Sequence, residues 1–262
     1  MKAGELIVKR DGRVAWIVFS NVAKHNAVTY DMWRALPPAV QALDADPEVR
    51  VIIVTGDGEK AFISGADISQ FASHRGSESA REAYNQAVEA GYRAMAAPLT
   101  PTIAAIRGIC YGGGLGLALA CHVRICTDDA RFCIPAARVG LGYTYVGIKR
   151  LVDVVGPAYA AEIMATARVF GSAEALHMGL VNRAVAGSEF DAVVAETSGQ
   201  IAAGAPLTVR AAMKAIDECL KPSPERDVGA VQAMVEACYA SEDYLEGQRA
   251  FAEKRKPNFR GR

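Results

Sequence analysis

Apolar and polar positions first alternate along this chain and then change period. Glu5–Arg10 and Arg13–Ser20 read as two strands around a turn at Asp11-Gly12. Thr29 is placed to cap a helix of about a dozen residues carrying Met32, Trp33, Ala35 and Leu36, and Pro37 and Pro38 predict a kink or break in it. Arg50–Thr55 is a continuous apolar run of the kind a strand buried on both faces shows, and Gly56–Lys60 is a charged turn. Ser77–Ala97 has helical periodicity ending at Pro98, and Thr102–Ile106 is a second buried strand.

A glycine cluster, Tyr111-Gly-Gly-Gly-Leu-Gly116, follows that strand, and Leu117–Cys121 continues it as an almost wholly apolar helix that only a buried position tolerates. Val123–Thr127 is a strand. Ser172 reads as an N-cap, Gly179 as a C-terminal glycine and Leu180-Val181 as the start of a short strand. Beyond Val185 the pattern is helical only, over Phe190–Ala203, Pro206–Cys219, Pro224–Tyr239 and Asp243–Lys254. No internal repeat, low-complexity tract or flexible linker interrupts it. Alternating β and α segments followed by a helical third predict one α/β core with a helical extension.

Composition narrows the class. The 262 residues are 51% hydrophobic and 22% charged, enough to bury a large core. The formal net charge is zero, which gives no electrostatic case for nucleic acid or an anionic membrane and makes self-association easier. The N-terminal stretch lacks the apolar core of a signal peptide, and no run of 18 apolar residues suggests a membrane span, so a cytoplasmic location is expected. None of the six cysteines forms a CxxC pair, which predicts reduced, buried thiols. His25, His74, His122 and His177 show no metal-ligand spacing, so no metal site is expected.

A strand, a glycine run and a buried helix leave exposed N–H groups at a helix start, a place suited to negative charge. The dinucleotide fingerprint fails, because Leu117 or Leu119 stands where its last glycine or alanine belongs. A P-loop Gly-Lys-Ser/Thr and a hydrolase G-x-S-x-G are absent. An oxyanion hole or tight packing alone remains. A second cluster, Phe62-Ile-Ser-Gly-Ala-Asp67, also follows a buried strand. Parallel strands put their carboxyl ends on one side of a sheet, so both exits can aim N–H groups into one crevice, as a thioester enolate requires.

Phe62–Asp67 (FISGAD), Tyr111–Leu115 (YGGGL) and the tail Phe251–Phe259 (FAEKRKPNF), together with Ala23-Lys-His-Asn-Ala27, resemble the crotonase (enoyl-CoA hydratase/isomerase) superfamily over nearly the whole chain. The resemblance implies an α/β spiral core of ββα units over 1–200, a helical trimerisation region over 201–262, and a homotrimer or dimer of trimers. It implies that Ala66 and Gly113 donate the oxyanion-hole N–H groups. It also implies that Lys254 reaches the phosphates or adenine of coenzyme A, often across a subunit boundary, that Phe251 packs near the adenine, and that Lys24 lies near coenzyme A. Coenzyme A enters as part of the substrate, and no separate cofactor is implied. Asp67 is expected to hold its loop by hydrogen bonds to the backbone.

The hydratases of this superfamily carry two glutamates where this chain has Gly116 and Ala136, the latter in Phe132-Cys-Ile-Pro-Ala136. Neither residue transfers a proton, and such groups typically contribute about 10²–10⁴-fold in rate each. Loss of carbon dioxide from a malonyl-type thioester needs no base to start. Gly140–Ile148 (GLGYTYVGI) and Ser241–Gly247 (SEDYLEG) are similar to the methylmalonyl-CoA decarboxylase branch, which places a tyrosine near the substrate carboxylate at the position of Tyr143. That match is incomplete, since the branch has a histidine at the position of Ala66 and a glutamate at that of Gly116. Arg138 is either a partner for a substrate carboxylate or a surface arginine. Hydration, decarboxylation, isomerisation and thioester hydrolysis all stay open, as does a non-catalytic acyl-CoA-binding scaffold.

Overall fold

A computed structural model describes residues 4–70 and 77–262. His74 and residues 1–3 of the N-terminal segment lie outside the described residues. Ten strands are found among those described: β1 (Glu5–Asp11), β2 (Val14–Ser20), β3 (Val51–Gly56), β4 (Ala61–Ile63), β5 (Thr102–Ile106), β6 (Ile109–Tyr111), β7 (Val123–Thr127), β8 (Arg131–Cys133), β9 (Phe170–Gly171) and β10 (Arg183–Val185). They form a six-stranded sheet in the order β1-β2-β3-β5-β7-β10 and a four-stranded sheet in the order β4-β6-β8-β9. Pairing is parallel throughout except at β1–β2 and β8–β9.

Each turn of the chain gives one strand to each sheet, as β3 then β4, β5 then β6, and β7 then β8. The helix Glu78–Ala96 follows the first pair and Gly113–Ala120 the second. The structure therefore repeats a unit that the sequence does not repeat.

Strand alternation explains the core. Ile52 and Val54 face one side with Phe19, Leu115, Leu117 and Phe132. Val51 and Ile53 face the other with Ile103, Ala105 and Ile125, under Phe190, Val194 and Ala202 of the helix Phe190–Ala203. Both faces are covered, which is why β3 and β5 read as unbroken apolar runs.

Several sequence expectations shift. The hairpin turn is Gly12-Arg13, because Asp11 pairs with Val14 and Gly12 takes φ +57°. Pro37 and Pro38 do not break their helix, which runs from Tyr30 to Ala45. Its buried stripe, Met32, Trp33, Leu36, Val40 and Leu43, passes straight across both prolines, and that packing outweighs the missing N–H donors. The helix capped by Ser77 forms as expected, over Glu78–Ala96. Ser172 is the first helical residue and not the cap; its hydroxyl donates instead to the Asp128 carbonyl. The strand expected from Leu180 begins at Arg183, and the helix expected from Pro224 begins at Val228 after a 3-10 turn at Ser223–Glu225. Residues 145–166 form two helices that meet at a non-helical Gly156 before Pro157. All six cysteines are free, but only Cys110, Cys121, Cys126 and Cys133 are buried; Cys219 is exposed and Cys238 half-buried.

The last helices, Pro206–Cys219, Val228–Tyr239 and Glu242–Ala252, bury few side chains, and Val228–Tyr239 buries none. The C-terminal residues fold back on the last of these helices, where Arg260 and Gly261 donate their N–H groups to the two carboxylate oxygens of Asp243 at 2.7 Å each. Among the described residues, no helix is long and apolar enough to cross a membrane.

Candidate active site at three parallel strand exits

β4, β6 and β8 run parallel as neighbours, so the segments that leave them emerge at one end of the four-stranded sheet. These segments are Ser64–Asp67, Gly112-Gly113 and Ile134–Ala136. They pack against one another. The Gly65 Cα lies 3.9 Å from where a Cβ on Gly112 would stand, and a Cβ on Gly65 would lie 3.6 Å from the Tyr111 carbonyl oxygen. Pro135 Cδ is 3.8 Å from the same Gly112 position, and the Gly112 N–H donates to the Cys133 carbonyl at 2.8 Å.

The Ala23–Val28 segment holds the first exit. Ser64 N–H donates to the His25 carbonyl at 3.0 Å and Ser64 Oγ–H to the Lys24 carbonyl at 3.0 Å. Asn26 sits in the left-handed region at φ +57°, and its amide donates to the Asp57 and Ala61 carbonyls. Val28 N–H donates to the Gly65 carbonyl at 2.8 Å, and Asp67 N–H to the Val28 carbonyl at 2.9 Å. This is a parallel bridge centred on Ala66. Its bonds use the groups on either side of Ala66, so the N–H of Ala66 itself points away from Val28.

At the second exit, Gly112 turns the chain with φ +49°, a value a side chain would resist. Gly113 is the first helical residue, and the first helical bond runs from Gly116 N–H to the Gly112 carbonyl. The Gly113 N–H is thus one of those a helix start leaves unpaired, at the positive end of its dipole. Gly114 is needed for another reason, since a Cβ there would overlap the Ile63 carbonyl oxygen. Tight packing and an open N–H therefore coexist in one glycine run. Ala66, Gly113 and Gly116 are all half-buried.

The other expected residues fall as follows. Tyr143 is half-buried against the main core, and burial, with Cys133 nearby, pushes its phenol up to about 12. Ala136 is buried beside Pro135, and Arg138 is exposed. Lys24 donates to both carboxylate oxygens of Asp67, at 2.8 and 3.1 Å, and to Ser69 Oγ at 2.6 Å. Asp67 also accepts from Ser69 N–H at 3.1 Å, the loop-holding role expected of it. Burial works to raise its carboxyl, but the bonds from Lys24 and Ser69 outweigh this and hold it below the usual range. Phe251, expected to pack against an adenine, is 88% exposed. It stands at a groove shared with Tyr239, Tyr244 and Phe259, and Lys254 lies just beyond it, exposed. Both belong to the last helix and the tail after it, not to the strand exits.

Sequence reasoning missed Tyr92, on the helix Glu78–Ala96. Its hydroxyl lies 2.6 Å from where a Cβ on Gly116 would stand and 3.5 Å from the corresponding position on Gly113. It donates to the Gly113 carbonyl at 3.3 Å, and its ring meets Trp33 edge-on at 5.3 Å.

Comparison with known proteins decides the family, because the model of the enoyl-CoA hydratase/isomerase family matches residues 9–262. The chain belongs to that family. It is 34% identical to the crotonyl-CoA hydratase of Syntrophomonas wolfei over 97% of both chains. It is 35% identical to the carnitinyl-CoA dehydratase of Salmonella typhi over 98% of both. A solved enoyl-CoA hydratase/carnithine racemase from Magnetospirillum magneticum superposes with a TM-score of 0.91 at 35% identity, covering 100% of this chain and 97% of that one. The fold is thus the crotonase fold, and the protein is an acyl-CoA enzyme of the hydratase/isomerase family.

Proposed function

We propose that this enzyme receives the thioester oxygen of an acyl-CoA at the main-chain N–H groups of Ala66 and Gly113 and works through a thioester enolate. The observation that carries this reading is the contact between the two strand exits, each with an N–H turned away from its own strand or helix. Two donors aimed where charge develops are the largest single source of stabilisation for such an intermediate.

The enolate forms most simply by decarboxylation. Gly116 and Ala136 carry no group that could activate water. In a malonyl-type thioester the bond from the α-carbon to the carboxylate breaks, carbon dioxide leaves, and the electron pair moves into the enolate. One proton then returns to the α-carbon. Tyr143, kept neutral by burial, is the hydroxyl assigned to the substrate carboxylate. Lys254 and Phe251 serve the coenzyme A portion from a neighbouring copy, in a cytoplasmic homotrimer or dimer of trimers whose contacts come from the helical region 201–262. Coenzyme A is part of the substrate and no further cofactor is needed. Lys24, engaged by Asp67, shapes the Ala66 loop first and meets coenzyme A only at its edge.

The names of the relatives favour a second reading, hydration of a short enoyl-CoA. Purified protein incubated separately with crotonyl-CoA and methylmalonyl-CoA separates the two. Release of carbon dioxide from the latter with slow hydration of the former supports decarboxylation. Rapid hydration of crotonyl-CoA contradicts it. Binding of both with turnover of neither marks a non-catalytic scaffold.

A further inference from the structure

Gly116 is empty of chemistry, but the space its side chain would fill is not. The Tyr92 phenol occupies it, 2.6 Å from the Cβ position. A carboxylate at residue 116 and a phenol at residue 92 therefore compete for one place beside Gly113. We propose that Tyr92 is the acid that protonates the α-carbon of the thioester enolate, supplying from the helix Glu78–Ala96 the group that residue 116 lacks. This rests on the enolate reading above.

Three observations support it. The first is reach. The hydroxyl lies 2.6 Å from the Cβ position of Gly116 and 3.5 Å from that of Gly113, beside the helix start whose N–H is assigned to the thioester oxygen, although its own 3.3 Å bond is to the Gly113 carbonyl. The α-carbon of a bound thioester sits two bonds from that oxygen. The second is availability. A 3.3 Å bond is long for an O–H donor, so the hydrogen is weakly committed to the carbonyl. The third is protonation state. Burial, with the phenols of Tyr143 and Tyr84 close by, raises Tyr92 well above its ordinary value and keeps it a neutral donor. The ring has little freedom, because buried Trp33 braces it edge-on. Tyr143, assigned above to the substrate carboxylate, is close enough to act on the Tyr92 phenol, so the two hydroxyls lie in one region of the protein.

The step balances. The phenolic O–H bond breaks, the enolate π pair forms the new C–H bond, and the thioester carbonyl re-forms. The phenolate then takes a proton from water, so each decarboxylation consumes one proton. An α-carbon acid of a thioester is far weaker than a phenol, so the transfer runs downhill.

The test is the stereochemistry of protonation in D2O. Wild type, Tyr92→Phe and Tyr143→Phe are each given methylmalonyl-CoA and crotonyl-CoA, and the configuration of deuterium at the product α-carbon is read. Tyr92→Phe keeps the ring against Trp33 and Gly116, and an unchanged melting temperature verifies that it folds. The expected result is one configuration from wild type and from Tyr143→Phe. Tyr92→Phe is expected to form product about 10²-fold more slowly and with scrambled configuration, as water replaces the fixed acid. Retained configuration and rate in Tyr92→Phe overturn the proposal while leaving the enolate reading intact. No turnover of either thioester by wild type overturns both.

Discussion

The hydroxyl of Tyr92 stands 2.6 Å from the Cβ position of Gly116, so the two residues cannot both carry a side chain into the same space. Gly116→Glu alone is therefore expected to displace the ring and destabilise the fold by about 1–3 kcal/mol without creating a hydratase. Combining Tyr92→Ala, Gly116→Glu and Ala136→Glu clears the phenol from the space beside residue 116 and restores both carboxylates. That triple variant is expected to hydrate crotonyl-CoA at least about 10²-fold faster than wild type, followed by loss of the enoyl thioester absorbance. Unchanged hydration would show that residue 116 does not face the substrate.

Gly114 makes the closest approach in the glycine run. A Cβ there would overlap the Ile63 carbonyl oxygen, and a backbone atom cannot swing aside. Gly114→Ala is expected to cost about 1–3 kcal/mol, lowering the melting temperature by roughly 2–4 °C per kcal/mol. Thermal unfolding checks this, and an unchanged melting temperature would mean the helix Gly113–Ala120 shifts freely against β4.

Lys24 and Lys254 are expected to separate in their effects. Lys24 is tied to Asp67, so Lys24→Ala should lower stability by about 1 kcal/mol, the pair being partly solvent-screened. The Asp67 carboxyl is held below its usual range, so its contribution is full above that range and fades as pH falls through it. Melting curves of wild type and Asp67→Asn should converge on acidification and stay apart at neutral pH. Lys254→Ala, by contrast, should leave melting unchanged and raise KM for a CoA thioester more than for the matching pantetheine thioester.

Tyr143 is pushed up to about 12 by burial. A reaction that needs its neutral form should therefore hold its rate through about pH 10, where an unperturbed phenol ionises. A kcat/KM profile with an alkaline limb near about pH 10, absent in Tyr143→Phe, would contradict this environment.

The sequence displays what backbone geometry demands. Gly65 at φ +116° and Gly112 at φ +49° need glycine whatever surrounds them, so FISGAD and YGGGL are legible as turns after strands. The strands β3 and β5 are legible because both their faces are buried. β4, β6 and β8, which aim the site, have three residues each, too few to show a period. Tyr92 was invisible for a different reason. It sits at an ordinary place in an amphipathic helix, and its meaning comes from a contact with Gly113, 21 positions away. The uninterrupted helix across Pro37 and Pro38 was likewise decided by tertiary burial of Trp33, Leu36 and Val40.

A structure of the protein with an unreactive acyl-CoA thioester bound tests the shared N–H site most directly. The thioester oxygen is predicted within about 3 Å of both the Ala66 and the Gly113 nitrogens. A thioester oxygen bonded to other groups, or to only one of these two nitrogens, would contradict it.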